Sequence, residues 1–266
     1  MAAQSLFGRQ LKYFRRVQGL SQLSLATLAR TTTRHISFLE NGRSRPSDEM
    51  VVRLADALEV PVRERNQLLE AAGFAGVYTA QDLSAESAAP YMEAIRYMVD
   101  SHAPYPAMVK NRYHELIGLN EPAKRLFMML EPAGIGKNII EWVLAPNSRA
   151  RALFVNYEAV AWGMIFRVRG EAVAAPNDQR LQELAHFAEE RAKGLDPKTR
   201  TDDLVLCPTM RIEGRQISLV GIVARFGSAQ EVNLDELCVE LMHPRDEATK
   251  EFFIELQKAP PLRVAH

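Results

Sequence analysis

Arg34, Ser37, Phe38 and Asn41 stand out by residue type and spacing. Wound at about 100° per residue, they share one side of a helix over 32–41, while Ile36 and Leu39 take the other. An arginine and an aromatic ring on one outward face meet either solvent or a partner rich in hydrogen-bond acceptors. On spacing alone, each arginine also reads as a solvated charge, and Phe38 also reads as packing on a neighbouring element.

Catalytic chemistry finds no comparable pattern. His35, His102, His114, His186, His243 and His266 make neither a zinc-binding helical pair nor a His/Cys cluster. The GIGK stretch at 134–137 lacks the spacing and the following Ser or Thr of a phosphate loop. Cys207 and Cys238 are too few for a disulfide framework and read as buried small hydrophobes. The chain therefore reads as a non-enzyme with no required cofactor and no metal site.

Those residues need elements to hold them. Phe7, Leu11 and Phe14 form one apolar stripe of a first helix, and Gly19 ends it. Ser21 and Thr32 are N-caps for a second and a third helix, the third running to about Asn41 before Gly42. Ser47 precedes a fourth helix with Asp48 and Glu49 in its first turn, and Pro61 opens a fifth that ends near Gly73. Charge follows the same division. The whole chain has 33 basic and 33 acidic residues, but residues 1–75 hold 11 Lys/Arg and 7 Asp/Glu, a net of +4. Residues 76–266 hold 22 and 26, a net of −4. Neutrality therefore does not exclude a nucleic-acid partner. The Ala/Gly/Ser-rich stretch 76–90 reads as a linker.

At QLKYFRRVQGLSQLSLATLARTTTRHISFLENGRSRPS the sequence resembles the phage-repressor (XRE-type) helix-turn-helix family. The resemblance implies that helix 32–41 enters the major groove while the second helix lies across it. It places Thr32, Thr33 and Arg34 at the entry of the recognition helix, with Thr33 and Arg34 as base contacts and Ser37 and Phe38 as nearby candidates. Gln22 matches a glutamine that reaches the DNA backbone. Arg43 and Arg45 follow the helix, where phosphates are within reach. Two positions depart from the pattern. Arg30 stands in a turn that usually carries glycine, which implies strain or a changed turn. Ser24 stands where a glutamate would complete a capping box with Ser21.

Beyond residue 90 the patterns mix. Helices are expected at 91–101, over EPAKRLFMML, from Leu153 through Tyr157, Val160 and Met164 to Val168, around Leu181–Ala188, and over DEATKEFFIELQ. AMVKNRYHELIGLN reads as extended, and LVLCPTMRI, QISLVGIVARF and ELCVELM read as strands. QISLVGIVARF is apolar on both faces, as in a central strand. Trp142, Phe154, Tyr157, Trp162, Met164 and Phe166 cluster in sequence and suit either a deformable apolar cavity or a plain core. Arg112, Arg167, Arg211 and Arg225 have apolar neighbours and are candidate anchors for a ligand carboxylate, or surface residues.

Three stretches, VPVRERNQLLEAAGFAGVY, SHAPYPAMVKNRYHELIGLNEPAKRLF and ARFGSAQEVNLDELCVELMHPRDEATKEF, resemble the MmyB-like family of bacterial regulators. The resemblance implies a PAS-like ligand-binding domain and a long-chain fatty acid as the ligand class. Asn111 and His114 depart from it, at positions where an acid and a tryptophan are frequent and which are expected to lie in a sheet strand. The expected architecture is multidomain: an all-α five-helix helix-turn-helix domain (1–75), a linker (76–90) and an α+β PAS-like domain (91–266). Arg112, His114, Trp142, Phe154, Tyr157, Met164 and Arg167 are the ligand-binding candidates. The expected partners are a double-stranded DNA operator, a small apolar ligand and a second copy of the chain. Lacking an apolar run of about 20 residues and a signal-peptide core, the chain reads as cytoplasmic with no membrane partner. The alternative is a second domain that is a ligand-free dimerisation or protein-interaction module.

Overall fold

The computed structural model describes residues 5–80, 82–196, 199, 204–227 and 229–259. The chain forms two compact units, residues 1–83 with 226–235, and residues 84–225 with 236–266.

The first unit is built from α1 (Leu6–Val17), α2 (Gln22–Leu28), α3 (Thr33–Glu40), α4 (Asp48–Ala57) and α5 (Val62–Ala72). Its first four helices start where a hydroxyl accepts a backbone N–H that has no partner within the helix. Ser5 accepts from Gly8, Ser21 from Ser24, Thr32 from His35 and Ser47 from Met50. Leu11, Leu25, Ile36, Leu39, Leu54 and Leu68 are fully buried between the helices. Each contributes about 1.5–3 kcal/mol by leaving water. Gly8 sets how closely α1 crosses α3, since a Cβ there would lie 2.7 Å from the carbonyl oxygens of Leu39 and Glu40. In the turn between α2 and α3, Arg30 takes the left-handed conformation with φ 51°. The turn thus keeps the glycine geometry and strains the arginine instead. Within the 76–90 stretch, Tyr78 is held on α5: Asn66 accepts its N–H at 3.0 Å and donates to its carbonyl at 2.7 Å.

The second unit is the expected α+β PAS-like arrangement. It contains α6 (Ala89–Ser101), β1 (Ala107–Lys110), β2 (Leu116–Leu119), α7 (Glu121–Leu130), α8 (Ile139–Leu144), α9 (Ala150–Leu153), α10 (Tyr157–Ala174), α11 (Gln179–Ala192), β3 (Thr209–Ile212) and β4 (Arg215–Ala224). The chain then enters the first unit as α12 (Val232–Asp235) before completing the second with β5 (Cys238–Pro244) and α13 (Glu247–Lys258). All neighbours in the sheet are antiparallel, in the order β2-β1-β5-β4-β3. Asn120 fastens α7 to the sheet. Its buried oxygen accepts from Ala107 and Ala123, and its amide donates to Val99 and Tyr105. In the first unit, the Asp235 carboxylate accepts the Val62 N–H at 3.1 Å and so caps α5, whose own N-cap Pro61 has no side-chain acceptor.

Several sequence expectations change. β5 is the middle strand; β4 is interior too, between β5 and β3, but it is not buried on both faces, since Ile222 and Val223 are 52% and 45% exposed. Of LVLCPTMRI only Thr209–Ile212 is a strand, because Pro208 brings no N–H to a ladder. The helix expected from Leu153 is broken at 154–156. Phe154 bridges to Met210, and Asn156 accepts from Thr209 N–H and donates to the Cys207 carbonyl, so the long helix starts only at Tyr157. Asn111 and His114 lie in the turn between β1 and β2 rather than in a strand. Asn111 Oδ1 accepts the N–H groups of Tyr113 and Glu115 there, an acceptor role that a carboxylate would also fill. Helix α8, capped by Asn138, has no counterpart in the periodicity.

Replacing Arg30 with glycine removes the left-handed strain at the cost of some chain entropy. Arg30→Gly is expected to stabilise the helical unit by about 0.5–1 kcal/mol in urea unfolding followed by helical circular dichroism. A loss of stability would mean that the side chain contributes more than its backbone costs.

Candidate nucleic-acid interface and ligand cavity

Helix α3 carries the first site. Thr33 and Arg34 are exposed in its first turn, Ser37 and Phe38 are half-buried one turn later, and Arg43 and Arg45 are exposed beyond its end. Thr32 is the cap, its hydroxyl accepting from His35 N–H at 3.1 Å. The Arg34 guanidinium carbon lies 5.2 Å from the centre of the Phe38 ring. Stacking of this kind leaves the N–H edge of the guanidinium available for acceptors. Phe38 is thus a platform for Arg34. Ser37 is tied to Asn41, whose amide donates to the Ser37 carbonyl at 2.8 Å.

Glu40, the one acid of α3, is turned inward and is 2% exposed. Arg15 of α1 meets it with two bonds, Nε to Oε1 at 2.6 Å and Nη2 to Oε2 at 3.0 Å, and Gln22 of α2 donates to Oε2 at 2.8 Å. Burial pushes this carboxyl up, but the Arg15 and Gln22 hydrogen bonds and the Arg15 charge outweigh it and hold it below the ordinary range. One carboxylate therefore joins three helices and leaves the outer face of α3 free of negative charge. It also fixes Gln22, committing one amide hydrogen to the protein.

The second site is a cavity of about 330 Å³ inside the second unit, with walls that include Met108, Leu126, Phe127 and Ile140. That volume lies at the lower end of the range of roughly 300–1,000 Å³ usual for small-molecule pockets. His114, Trp142, Phe154, Met164 and Arg167 are brought together in its lining. Arg112 and Tyr157 are not. Arg112 lies between Asp178 at 3.2 Å and Glu236 at 3.1 Å, and the Tyr157 hydroxyl donates to the Val143 carbonyl at 3.2 Å. Arg211 and Arg225 are exposed and also absent from the lining. Trp162 and the exposed Phe166 stack on each other, ring centres 5.3 Å apart, and do not line the cavity.

Sequence reasoning missed Lys110 and Glu240 in this wall. Lys110 Nζ lies 2.5 Å from Glu240 Oε2, and both residues line the cavity. His114 Nε2 lies 2.7 Å from Glu171 Oε2. Burial raises the Glu240 carboxyl, and Lys110, then Arg167 and His114, more than offset this, leaving it below the ordinary range. The available signal was Lys110 itself, a charge ending the apolar run Ala107–Val109.

A model of the MmyB-like transcription regulator ligand binding domain matches residues 92–256, and a helix-turn-helix model matches residues 11–65. No curated protein matches. Among solved structures, the chain is similar to the restriction-modification controller protein C.AhdI from Aeromonas hydrophila. Identity is 34%, over 22% of this chain and 89% of that one, with a TM-score of 0.22. Among the described residues, no helix is long and apolar enough to cross a membrane, and no group of three or more His, Cys, Asp or Glu is placed to hold a metal ion.

Removing one partner of a buried ion pair costs about 3–5 kcal/mol. Arg15 is 12% exposed, so Glu40→Ala is expected to cost the helical unit about 3 kcal/mol in denaturant unfolding. Because the folded carboxyl titrates below 4.5, its contribution is complete above that pH and disappears as pH falls through the lowered value. Acid titration of Glu40→Gln should therefore show a shallower stability loss below pH 4.5 than the native chain. An unchanged acid limb would remove Glu40 from this role.

Proposed function

The chain belongs to the MmyB-like transcription regulators, and we propose that it is a sequence-specific, DNA-binding regulator controlled by a small apolar effector of the fatty-acid class. The observation that carries this reading is the apolar cavity within the same chain as a capped helix bearing the Arg34–Phe38 stack.

Recognition rests on two kinds of contact. Arg43 and Arg45 pair with phosphates and set the register, while Arg34, with Thr33 beside it, reads base edges from the N-terminal turn of α3. Gln22 adds a backbone contact with its remaining amide hydrogen. The +4 balance of residues 1–75 favours approach to DNA. One module of this size contacts few base pairs, so two copies bind a two-fold operator as a homodimer. In the cavity an acyl chain lies against the apolar walls. Its carboxylate meets Arg167, an exposed lining residue. The effector changes DNA affinity to the extent that it binds the operator-competent state and the other state unequally.

Three measurements test these parts. Arg34→Ala should weaken binding to the preferred operator by about 1–3 kcal/mol and leave random-sequence binding nearly unchanged. Equal loss on every sequence would make Arg34 a phosphate contact. Sedimentation should show two copies per operator, and a monomer both free and bound would remove the dimer. Native mass spectrometry of the purified full chain should show an acyl-chain adduct. If no acyl ligand is carried or taken up, the second domain is a ligand-free module.

A further inference from the structure

The proposed effector pocket contains more polar chemistry than a hydrocarbon tail and one carboxylate use. Arg167 makes no ion pair among the described residues and matches a single carboxylate. Lys110 and Glu240 are an additional donor and acceptor facing the same space. Lys110 carries three ammonium hydrogens and is seen to use one, on Glu240 Oε2. The other carboxylate oxygen, Oε1, makes no hydrogen bond among the described residues. It lies across β4 at Gly221, where a Cβ would stand 2.9 Å from it. Any larger residue at 221 would displace that oxygen. Trp142 adds a third unmatched group: its indole N–H is buried and has no acceptor among the described residues.

The groups a ligand could match are therefore Arg167 with an anion, Glu240 Oε1 with a hydrogen-bond donor, and Lys110 or the Trp142 N–H with an acceptor, the Trp142 N–H alone of these being buried without a partner among the described residues. An ionised fatty acid offers acceptors but no hydrogen-bond donor for Glu240 Oε1. A carboxylate placed beside Glu240 would also be repelled by it. We propose that this cavity selects an N-acylated amino acid, an acyl chain joined through an amide to a carboxylate. The amide N–H donates to Glu240, its carbonyl accepts from Lys110 or Trp142, and the carboxylate pairs with Arg167. This inference rests on the effector-pocket reading above. It specifies the ligand as a derivative of a fatty acid rather than the acid itself.

Calorimetric titration of the full chain tests it with three ligands of matched length. N-dodecanoylglycine and pentadecanoic acid differ only in carrying an amide or two methylenes at the same place. N-dodecanoylsarcosine keeps the carbonyl but replaces the amide N–H with a methyl group. N-dodecanoylglycine should bind at least about tenfold more tightly than either, the scale of one hydrogen bond to a charged group. In the Lys110→Met/Glu240→Met variant the order of the acylglycine and pentadecanoic acid should reverse, because the amide N–H is then buried with no acceptor. The ligand comparison needs no variant, so it holds even if that protein does not fold. Pentadecanoic acid binding as tightly as the acylglycine would overturn the inference and leave the effector pocket standing. Binding of none of the three would overturn both.

Discussion

Taking a charged group out of water costs several kcal/mol unless a partner meets it in good geometry. That constraint shapes the interior of both units. In the helical unit Glu40 is buried at the C-terminal end of α3, where a two-pronged contact from Arg15 and a third bond from Gln22 make that placement tolerable. The same bonds fix the mutual positions of α1, α2 and α3, with Gly8 allowing the backbones to approach. In the α+β unit the Lys110–Glu240 pair spans β1 and β5 at Lys110 Nζ, with Gly221 of β4 leaving room for the carboxylate. An apolar pair of similar volume would often be as stable at such a site, so the charges are better explained by what they present to the cavity than by stability.

The helical unit was largely legible because its determinants are local. Ser21, Thr32 and Ser47 cap helices within three residues of themselves, and the buried leucines repeat at helical spacing. Even the strain at Arg30 followed from the turn type. The same reasoning fails where a distant residue decides. The apolar pattern runs unbroken through Leu153 and Tyr157, yet Phe154 leaves the helix to bridge Met210, and Asn156 bonds the backbone at 207 and 209. Strand composition likewise put β4 in the middle of the sheet, whereas pairing across more than a hundred residues gives that place to β5.

The candidate sites divide in the same way. Arg34 and Phe38 are four residues apart on one helix, so their stack is a consequence of helical geometry. The cavity gathers His114, Trp142, Phe154, Met164 and Arg167, five residues that no short window joins. Arg112 looked equivalent to Arg167 by its apolar neighbours. Its partners Asp178 and Glu236 lie 66 and 124 residues away, and no pattern around position 112 announces them. Charge in an apolar strand is a better indicator than aromatic clustering. Lys110 and Glu240 meet at the cavity, whereas Trp162 and Phe166 stack on each other away from it.

The total charge of zero conceals a useful asymmetry. Residues 1–75 carry +4 and residues 76–266 carry −4. A uniformly basic chain of this size would hold any duplex through counterion release, with little discrimination between sequences. Here the positive balance is confined to the part that bears α3, and the remainder of the chain repels phosphate. If the chain binds its operator as the proposed homodimer, nonspecific affinity is limited in this way and a larger share of the operator affinity comes from base contacts and from the pairing of two copies. An effector needs only a modest difference in affinity between two states to matter in such a system. When occupancy depends on a small excess of specific over nonspecific binding, a shift of one or two kcal/mol moves it by roughly tenfold.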